Sequence, residues 1–334
     1  KASAEPISGH FRASFGSLNS YLTQAGLNGS KGKLSYNANI NLQGTEGISE
    51  AIDQDPTINF DKDGFSQRTA GINIGFVANE NLNLKAFGRG QQFFGDFDDG
   101  AFSDAPNSYE AILWQTGFTA NYRKKNTEAH LNIGHMETDR TFKTAWGTSD
   151  FRGFLNQADV WVAFPLREKI KLLAGGNAQL MQMKDPLAVE IDPDASIWSA
   201  YTTILLRPTQ TLSAEFGYRF NRHSNFGNNN NVTLAFNYRM LEMLSLLGSY
   251  TTGFKAPNLS QLYGQYGANP ELRPQLSRSL EAGLRYGFST DPIYLQLTWF
   301  QRDISDLVAY DYVRGFFNQS RQEDQGLELE LRMK

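Results

Sequence analysis

The sequence predicts an all-β fold, an antiparallel sheet that closes into a transmembrane β-barrel. Three observations carry this. Apolar and polar residues alternate with period two along most of the chain, the alternating runs are longer than soluble strands, and short and long connections take turns. Composition agrees: the 334 residues include 24 Phe and 14 Tyr, yet only 40% are hydrophobic, so rings abound while long apolar runs do not.

Taken in chain order, the long candidate strands are Phe65–Ala78, Ser108–Lys124 and Ala195–Arg207. Leu212–Phe220, Val232–Met240 and Leu244–Phe254 follow. In Leu280–Phe288 the apolar set Leu280, Ala282, Leu284, Tyr286 and Phe288 opposes Glu281 and Arg285. Ile293–Val308 sets Ile293, Leu295, Leu297 and Trp299 against Gln296 and Thr298. Leu327–Met333 sets its leucines against Glu328, Glu330 and Arg332. Successive strand side chains point to opposite faces, so one face is greasy and the other charged or small. Both a soluble sandwich and a membrane barrel give this pattern. Length separates them: crossing hydrocarbon takes about 9–11 tilted residues, against about 5–6 for soluble strands.

The connections point the same way. Asn79-Glu80-Asn81, Lys124-Lys125-Asn126, Arg167-Glu168-Lys169 and Glu242-Met243 are tight, whereas Gly47–Asp63, Gly95–Asn107, Lys184–Asp194 and Thr251–Pro274 are long. Outer-membrane barrels put short turns on one side and long loops on the other. Rings near run ends, at Phe93-Phe94, Trp146, Trp198 and Phe316-Phe317, suit interfacial girdles. Roughly 15 strands are expected. Backbone amides in lipid must all be paired, so a membrane sheet closes; from an odd, unfinished count residues 1–334 are expected to be a single, incomplete barrel domain.

Several classes are excluded. A net charge of −4 argues against nucleic acid as a partner. The absence of cysteine excludes disulfides, thiolate metal sites and Cys nucleophiles. No apolar run is long enough for a transmembrane helix, and Lys1 opens no signal peptide, as expected of a processed or internal chain start. No G-x-S-x-G elbow occurs, and "GRGQQFFG" lacks the G-K-[ST] end of a phosphate loop, so no enzyme is expected. His130 and His135, five apart, fall on opposite strand faces and share no metal. Asn228–Asn231 reads as a loop tip. Arg285, Glu281, Glu328, Glu330 and Arg332 are expected to line a wet lumen.

Lys255-Ala256-Pro257-Asn258-Leu259, Gln261-Leu262-Tyr263-Gly264 and Asn269-Pro270-Glu271-Leu272-Arg273-Pro274 lead on to Ser277, Glu281 and Gly283. This run resembles the hallmark segment of TonB-dependent outer-membrane receptors. "RDISDLVAYD" (302–311) and "NQSRQEDQGLELEL" (318–331) resemble two further marks of the family, in the same order. Within the family, "KAPNLSQLYGQYGANPEL" is most similar to the vitamin B12 (cobalamin) transporters. "TEGISEAIDQDPTINFDKDGF" (45–65) and "FGRGQQFFGDFDD" (87–99) resemble two of their loop regions more loosely. The resemblance implies a barrel of about 22 strands with a plug. The resemblance is to barrel alone: the family's plug, its energy-coupling box and its last strands have no match in residues 1–334.

Two loops concentrate carboxylates: Asp53, Asp55, Asp61 and Asp63 in one, Asp96, Asp98 and Asp99 in the next. Such loops are either solvated or pinned by a hard divalent cation, which seeks several carboxylate oxygens. The spacing is not an EF-hand. The resemblance implies calcium there, with Asp61 and Asp63 of D-x-D-G-F matching best and Asp53, Asp55, Asp96 and Asp98 less closely. Tyr263 and Tyr266 offer flat apolar faces with a hydroxyl; with Asn258 and Phe94 they are the candidate ligand contacts, although the run around them could equally pack as a wall of the mouth. The resemblance implies active import of a scarce, bulky nutrient across the outer membrane of a Gram-negative bacterium. Cobalamin comes first, a ferric siderophore or haem second, and an adhesin, an enzyme or a carbohydrate-binding soluble sandwich further off. Its partners would be the ligand, outer-membrane lipid, a TonB-type complex acting through the plug, and a surface lipoprotein over the loops.

Overall fold

The structure is a computed structural model that describes residues 7–52, 54, 59–287 and 293–333. Asp53, Asp55 and Phe288 lie outside the described residues. Among the described residues, sixteen strands follow one another in a single antiparallel sheet whose spatial order is the sequence order. They are β1 (Ser8–Phe15), β2 (Tyr21–Lys31), β3 (Leu34–Ile48), β4 (Asp63–Asn79), β5 (Leu82–Phe97), β6 (Asn107–Lys124), β7 (Thr127–Thr144) and β8 (Gly147–Arg167). The rest are β9 (Ile170–Lys184), β10 (Asp194–Leu206), β11 (Leu212–His223), β12 (Gly227–Arg239), β13 (Leu244–Lys255), β14 (Gln275–Tyr286), β15 (Ile293–Asp311) and β16 (Gly315–Met333). One short helix, α1 (Leu259–Tyr263), interrupts the connection from β13 to β14. No described helix is long and apolar enough to cross a membrane, which says nothing about crossing by strands.

Two compact units make up the chain. The first comprises Lys1–Tyr122, His130–Ala158 and Leu180–Pro186. In it the register from β3 to β6 sorts side chains cleanly. Ile40, Ala70, Gly90 and Trp114 stand in one cross-strand row, and Ala38, Ile72, Gly88 and Thr116 in the next. Ile74, Phe76, Leu84 and Phe118 continue this apolar face. Asn73, Lys85, Arg89, Gln91, Gln115 and Thr119 occupy the opposite one. The apolar face is exposed, with Ile40, Ile72, Ile74, Phe76 and Trp114 all uncovered. This is inverted relative to a soluble sandwich, where that face would be covered. The register of β3 against β4 shifts between Thr45 and Ile48. Gly47 sits there at φ +68°, and a Cβ on it would strike the backbone carbonyl of Asp63, so glycine is required. The bulge turns the end of β3 into the first acidic loop.

The second unit comprises Arg123–Ala129, Asp159–Gln179 and Leu187–Lys334. Leu280, Ala282 and Leu284 pair with Gln301, Trp299 and Leu297, and these with Gln325, Leu327 and Leu329. Glu281, Arg285, Glu328, Glu330 and Arg332 share the other face, as the alternation requires. Arg332 pairs with Glu330 there at 2.7 Å. One expectation fails: Asn228–Asn231 lie inside β12, not at a loop tip. Their amides bond across strands instead, Asn230 Oδ1 accepting from the Tyr218 hydroxyl at 2.7 Å and Asn231 Oδ1 from Asn221 Nδ2 at 2.7 Å. Turn propensity loses to a ladder that pairs the backbone of all four with β11 and the side chains of Asn230 and Asn231 with their neighbours.

Candidate functional site

In the first unit, the loops after β3 and β5 are tied together by one carboxylate. Asp98 Oδ2 accepts from the Ala51 amide at 2.7 Å and the Ser49 hydroxyl at 3.3 Å, while Oδ1 accepts from the Ala105 amide at 2.9 Å. The Ile52 amide donates to the Ala101 carbonyl at 2.7 Å beside it. Asp63 Oδ2 accepts from the Glu50 amide at 2.6 Å; its Oδ1 is buried and without a hydrogen-bond partner among the described residues. Asp99 Oδ1 accepts from Asn107 Nδ2 at 2.7 Å.

Asp61, Asp98 and Asp104 each offer an oxygen within 4.8 Å of the others. The Asp61 amide also donates to Asp104 Oδ1 at 3.2 Å. Burial, then the charges of Asp104 and Asp98, push the Asp61 pKa above its ordinary value. Burial works the same way on Asp98, but the amides of Ala105 and Ala51, with Asp63 and Ser49, outweigh it and hold that carboxyl low. The loops thus gather anionic oxygens around a fixed anion. Sequence reading brought Asp61, Asp63, Asp96 and Asp98 to this region and missed Asp104. Its only signal was membership of the same loop, since Asp104 stands apart from the acidic triplet 96–99. Asp96, at the end of β5, is not among the three whose oxygens converge.

Beside these loops, rings line the outer end of the polar face. Phe65 stacks on Phe93 at 5.9 Å, Phe93 on Tyr109 at 5.0 Å, and Tyr109 on Phe142 at 5.9 Å. Phe142 meets Phe151 edge-on at 6.0 Å, and Phe97 leans on both Tyr109 and Phe142. Arg140 sits over Phe151, 5.7 Å from its centroid. Phe94 projects instead to the apolar face, opposite Ser66 and Glu110, where it is 41% exposed. Neighbouring residues on a strand point oppositely, so Phe93 is the ring of that pair on the polar side.

The second unit holds the other candidates. Asn258 caps α1: its Oδ1 accepts from the Gln261 amide at 2.8 Å, and Gln261 Oε1 accepts from the Asn258 amide at 3.0 Å. Leu259, Leu262 and Leu272 are buried beneath the loop. The Tyr263 carbonyl accepts from the Val189 amide at 2.8 Å, and its hydroxyl from Asn225 Nδ2 at 3.2 Å. Tyr266 is 59% exposed. The rest of the run staples the hairpin of β15 and β16. The Phe316 amide donates to the Gly267 carbonyl at 2.7 Å and Asn269 Nδ2 to the Phe316 carbonyl at 3.0 Å. Asn318 Oδ1 accepts from the Arg273 amide at 2.8 Å, and Nδ2 donates to the carbonyls of Arg273 and Asp306 at 3.0 and 2.8 Å. Arg273 also pairs with Asp306 at 2.6 Å.

The family model described as TonB dependent receptor-like, beta-barrel, matches residues 10–334. Among solved structures, the siderophore receptor PirA of Acinetobacter baumannii superposes with a TM-score of 0.79 at 16% identity, covering 100% of this chain and 61% of that one. The FrpB iron transporter of Neisseria meningitidis gives 0.81 at 14%, covering 99% and 60%. The ferric enterobactin receptor PfeA of Pseudomonas aeruginosa, a mutant in complex with enterobactin, gives 0.75 at 15%, covering 98% and 61%. At such identities the likeness is one of fold, and this chain spans about three fifths of each relative's length.

Proposed function

We propose, from the premise that this chain belongs to the TonB-dependent receptor β-barrel family, that it is the barrel portion of an outer-membrane transporter that binds a bulky metal chelate and admits it through a gated lumen. The exposed apolar face meets lipid, the polar face meets water and a plug, and an inner-membrane energy-transducing complex acts through that plug. The chemistry is capture and passage, with no bond made or broken.

One observation carries the choice of ligand class: the ring platform Phe65, Phe93, Tyr109, Phe142 and Phe151 at the outer end of the polar face. Stacked rings present wide faces to a flat, partly apolar ligand, and Arg140 adds a positive charge beside them. A ferric siderophore is the ligand supported by what the solved relatives are described as binding. Cobalamin is the second reading, supported by the similarity of Lys255–Leu272 to the cobalamin subgroup. Calcium is proposed at Asp61, Asp98 and Asp104, whose oxygens are close enough to share one ion. Asp63 stands next to them, its carboxyl against that of Asp98.

Full-length protein in detergent is titrated with ferric enterobactin and with cyanocobalamin, each with and without calcium. Submicromolar binding of the iron chelate, weakened about tenfold or more by Phe93→Ala, is the expected result, in line with the loss of a stacked ring at a recognition site. Calcium-dependent cobalamin binding alone would replace the first reading with the second. Binding of neither, at concentrations up to the micromolar range, would remove the chelate reading.

A further inference from the structure

The apolar face of the first unit is not uniform. Between β3 and β6 it opens into a groove of about 720 Å³, with Ala70, Gly88 and Gly90 as its floor and Ile40 and Trp114 among its walls. A Cβ on Gly90 would come within 2.6 Å of the Trp114 ring, so the glycine is what lets the indole lie against the sheet. Arg68 closes the outer end of the groove.

The register makes Arg68 exceptional. From β1 to β6 its cross-strand row on this face reads Ala13, Thr23, Leu42, Arg68, Gln92, Ile112, and Arg68 is the only charge among these six. It has no hydrogen bond or ion pair among the described residues. The nearest carboxylate on this face is Glu110, one row further out, which accepts from Gln92 Nε2 at 2.6 Å. Arg68 is eleven residues along β4 from Asn79 at the tight turn. At about 3.3 Å per residue and a tilt of about 40°, that is about 28 Å, just past an apolar band of about 25 Å. An arginine there costs little and sits level with lipid headgroups.

We infer that this groove is a binding site for a phosphate-bearing lipid of the outer leaflet, one acyl chain lying over Ala70, Gly88 and Gly90 against Trp114 while the Arg68 guanidinium holds the phosphate. The inference rests on the membrane reading proposed above. Two features fix the occupant. The groove is lined by apolar carbon along its length, which suits a hydrocarbon chain. Of the two arginines along it, Arg89 belongs to the opposite face by register, so the charge on this face is the Arg68 cation at headgroup depth, and guanidinium matches phosphate geometry in a forked pair.

The test uses full-length protein reconstituted in phosphatidylcholine bilayers containing a small fixed fraction of lipid brominated in its acyl chains, either phosphatidic acid or phosphatidylcholine. Bromine quenches indole fluorescence on contact, and the difference between wild type and Trp114→Phe isolates the Trp114 signal. Quenching by phosphatidic acid is expected to report about fivefold enrichment at Trp114 over the bulk fraction, as one basic contact to an anionic lipid implies. Arg68→Gln should bring it back to the bulk fraction. Ala70→Leu, which fills the groove yet keeps the face apolar, should lower quenching by both lipids. Equal quenching by the two lipids in wild type, or an unchanged signal in Ala70→Leu, overturns the lipid site and leaves the membrane reading standing. No quenching by either lipid overturns both.

Discussion

Replacing Asn318 by alanine is expected to undock the long loop after β13 without unfolding the sheet. Asn318 is half-buried, and its side chain makes three hydrogen bonds: one from the Arg273 amide and two to the carbonyls of Arg273 and Asp306. Alanine leaves one donor and two acceptors without these partners. A hydrogen bond of this kind is worth about 0.5–1.5 kcal/mol net, and partial access of water puts these near the lower end. Their sum is about 2 kcal/mol, or about a thirtyfold rise in the population of the opened loop. The register of β15 against β16 is kept by a long ladder on both sides of residue 318, so the hairpin itself persists. Hydrogen exchange read by mass spectrometry measures the effect: the peptide holding residues 267–273 should exchange about thirtyfold faster, while one from β15 between Leu295 and Gln301 should not change. Asn318→Asp keeps the acceptor for Arg273 but loses the donor, and should fall between the two. If the loop peptide exchanges at the wild-type rate in Asn318→Ala, the staple is held by something else and the reasoning fails.

Other consequences are as open to measurement. Gly47→Val forces a β-branched residue to φ +68° and drives its Cβ into the Asp63 carbonyl; it should weaken the outer end of β3 against β4 by about 1–3 kcal/mol, seen as faster exchange at residues 44–48. The raised Asp61 pKa has a sign: the folded loop binds its proton more tightly than the unfolded chain does. Stability from this group is therefore present below the ordinary value of 3.8 and is lost as pH rises through the elevated one. Exchange within residues 59–62 should accelerate over that window in calcium-free buffer and slow again when calcium is added, because the ion replaces the proton. Asp104→Asn should lower calcium affinity about tenfold or more, whereas Asp99→Asn, whose partner is Asn107, should leave it near wild type.

Alternation along the strands made most of the fold readable. Where one face meets an apolar surround and the other a polar one, period two is enforced at every residue, and Leu212–His223 and Leu244–Lys255 open at the residues the pattern assigned. Polar strand ends were harder. Above the apolar band neither face is selected for grease, so β12 begins in four asparagines that look like a turn, and β16 begins well before the alternation of Leu327–Met333. The candidate site was legible only as composition. Carboxylates in long loops can be counted, but which of them converge depends on Asp98 bonding to amides from two different loops. No spacing within one segment encodes that, and Asp104 was missed for this reason. Phe93 against Phe94 turned on a single step of register, which decides the face for every residue of β5.

The convergence of the three recognisable segments bears on what such segments can report. Lys255–Pro274, Arg302–Asp311 and Asn318–Leu331 look like separate marks in the sequence, yet Arg273, Asp306 and Asn318 join them at one staple. Their polar side chains are taken up by one another and by backbone, as Asn258 is by its helix cap. Residues so occupied are selected for the wall they build, and the similarity of this run to one subgroup therefore carries more about scaffold than about cargo. The rings of the first unit are differently placed, with wide faces at the outer end of the polar surface. Ligand choice should accordingly respond to Phe93 and Tyr109 and be indifferent to Asn318. A variant of Asn318 whose loop peptide still exchanged at the wild-type rate, yet which bound a different chelate, would contradict this division.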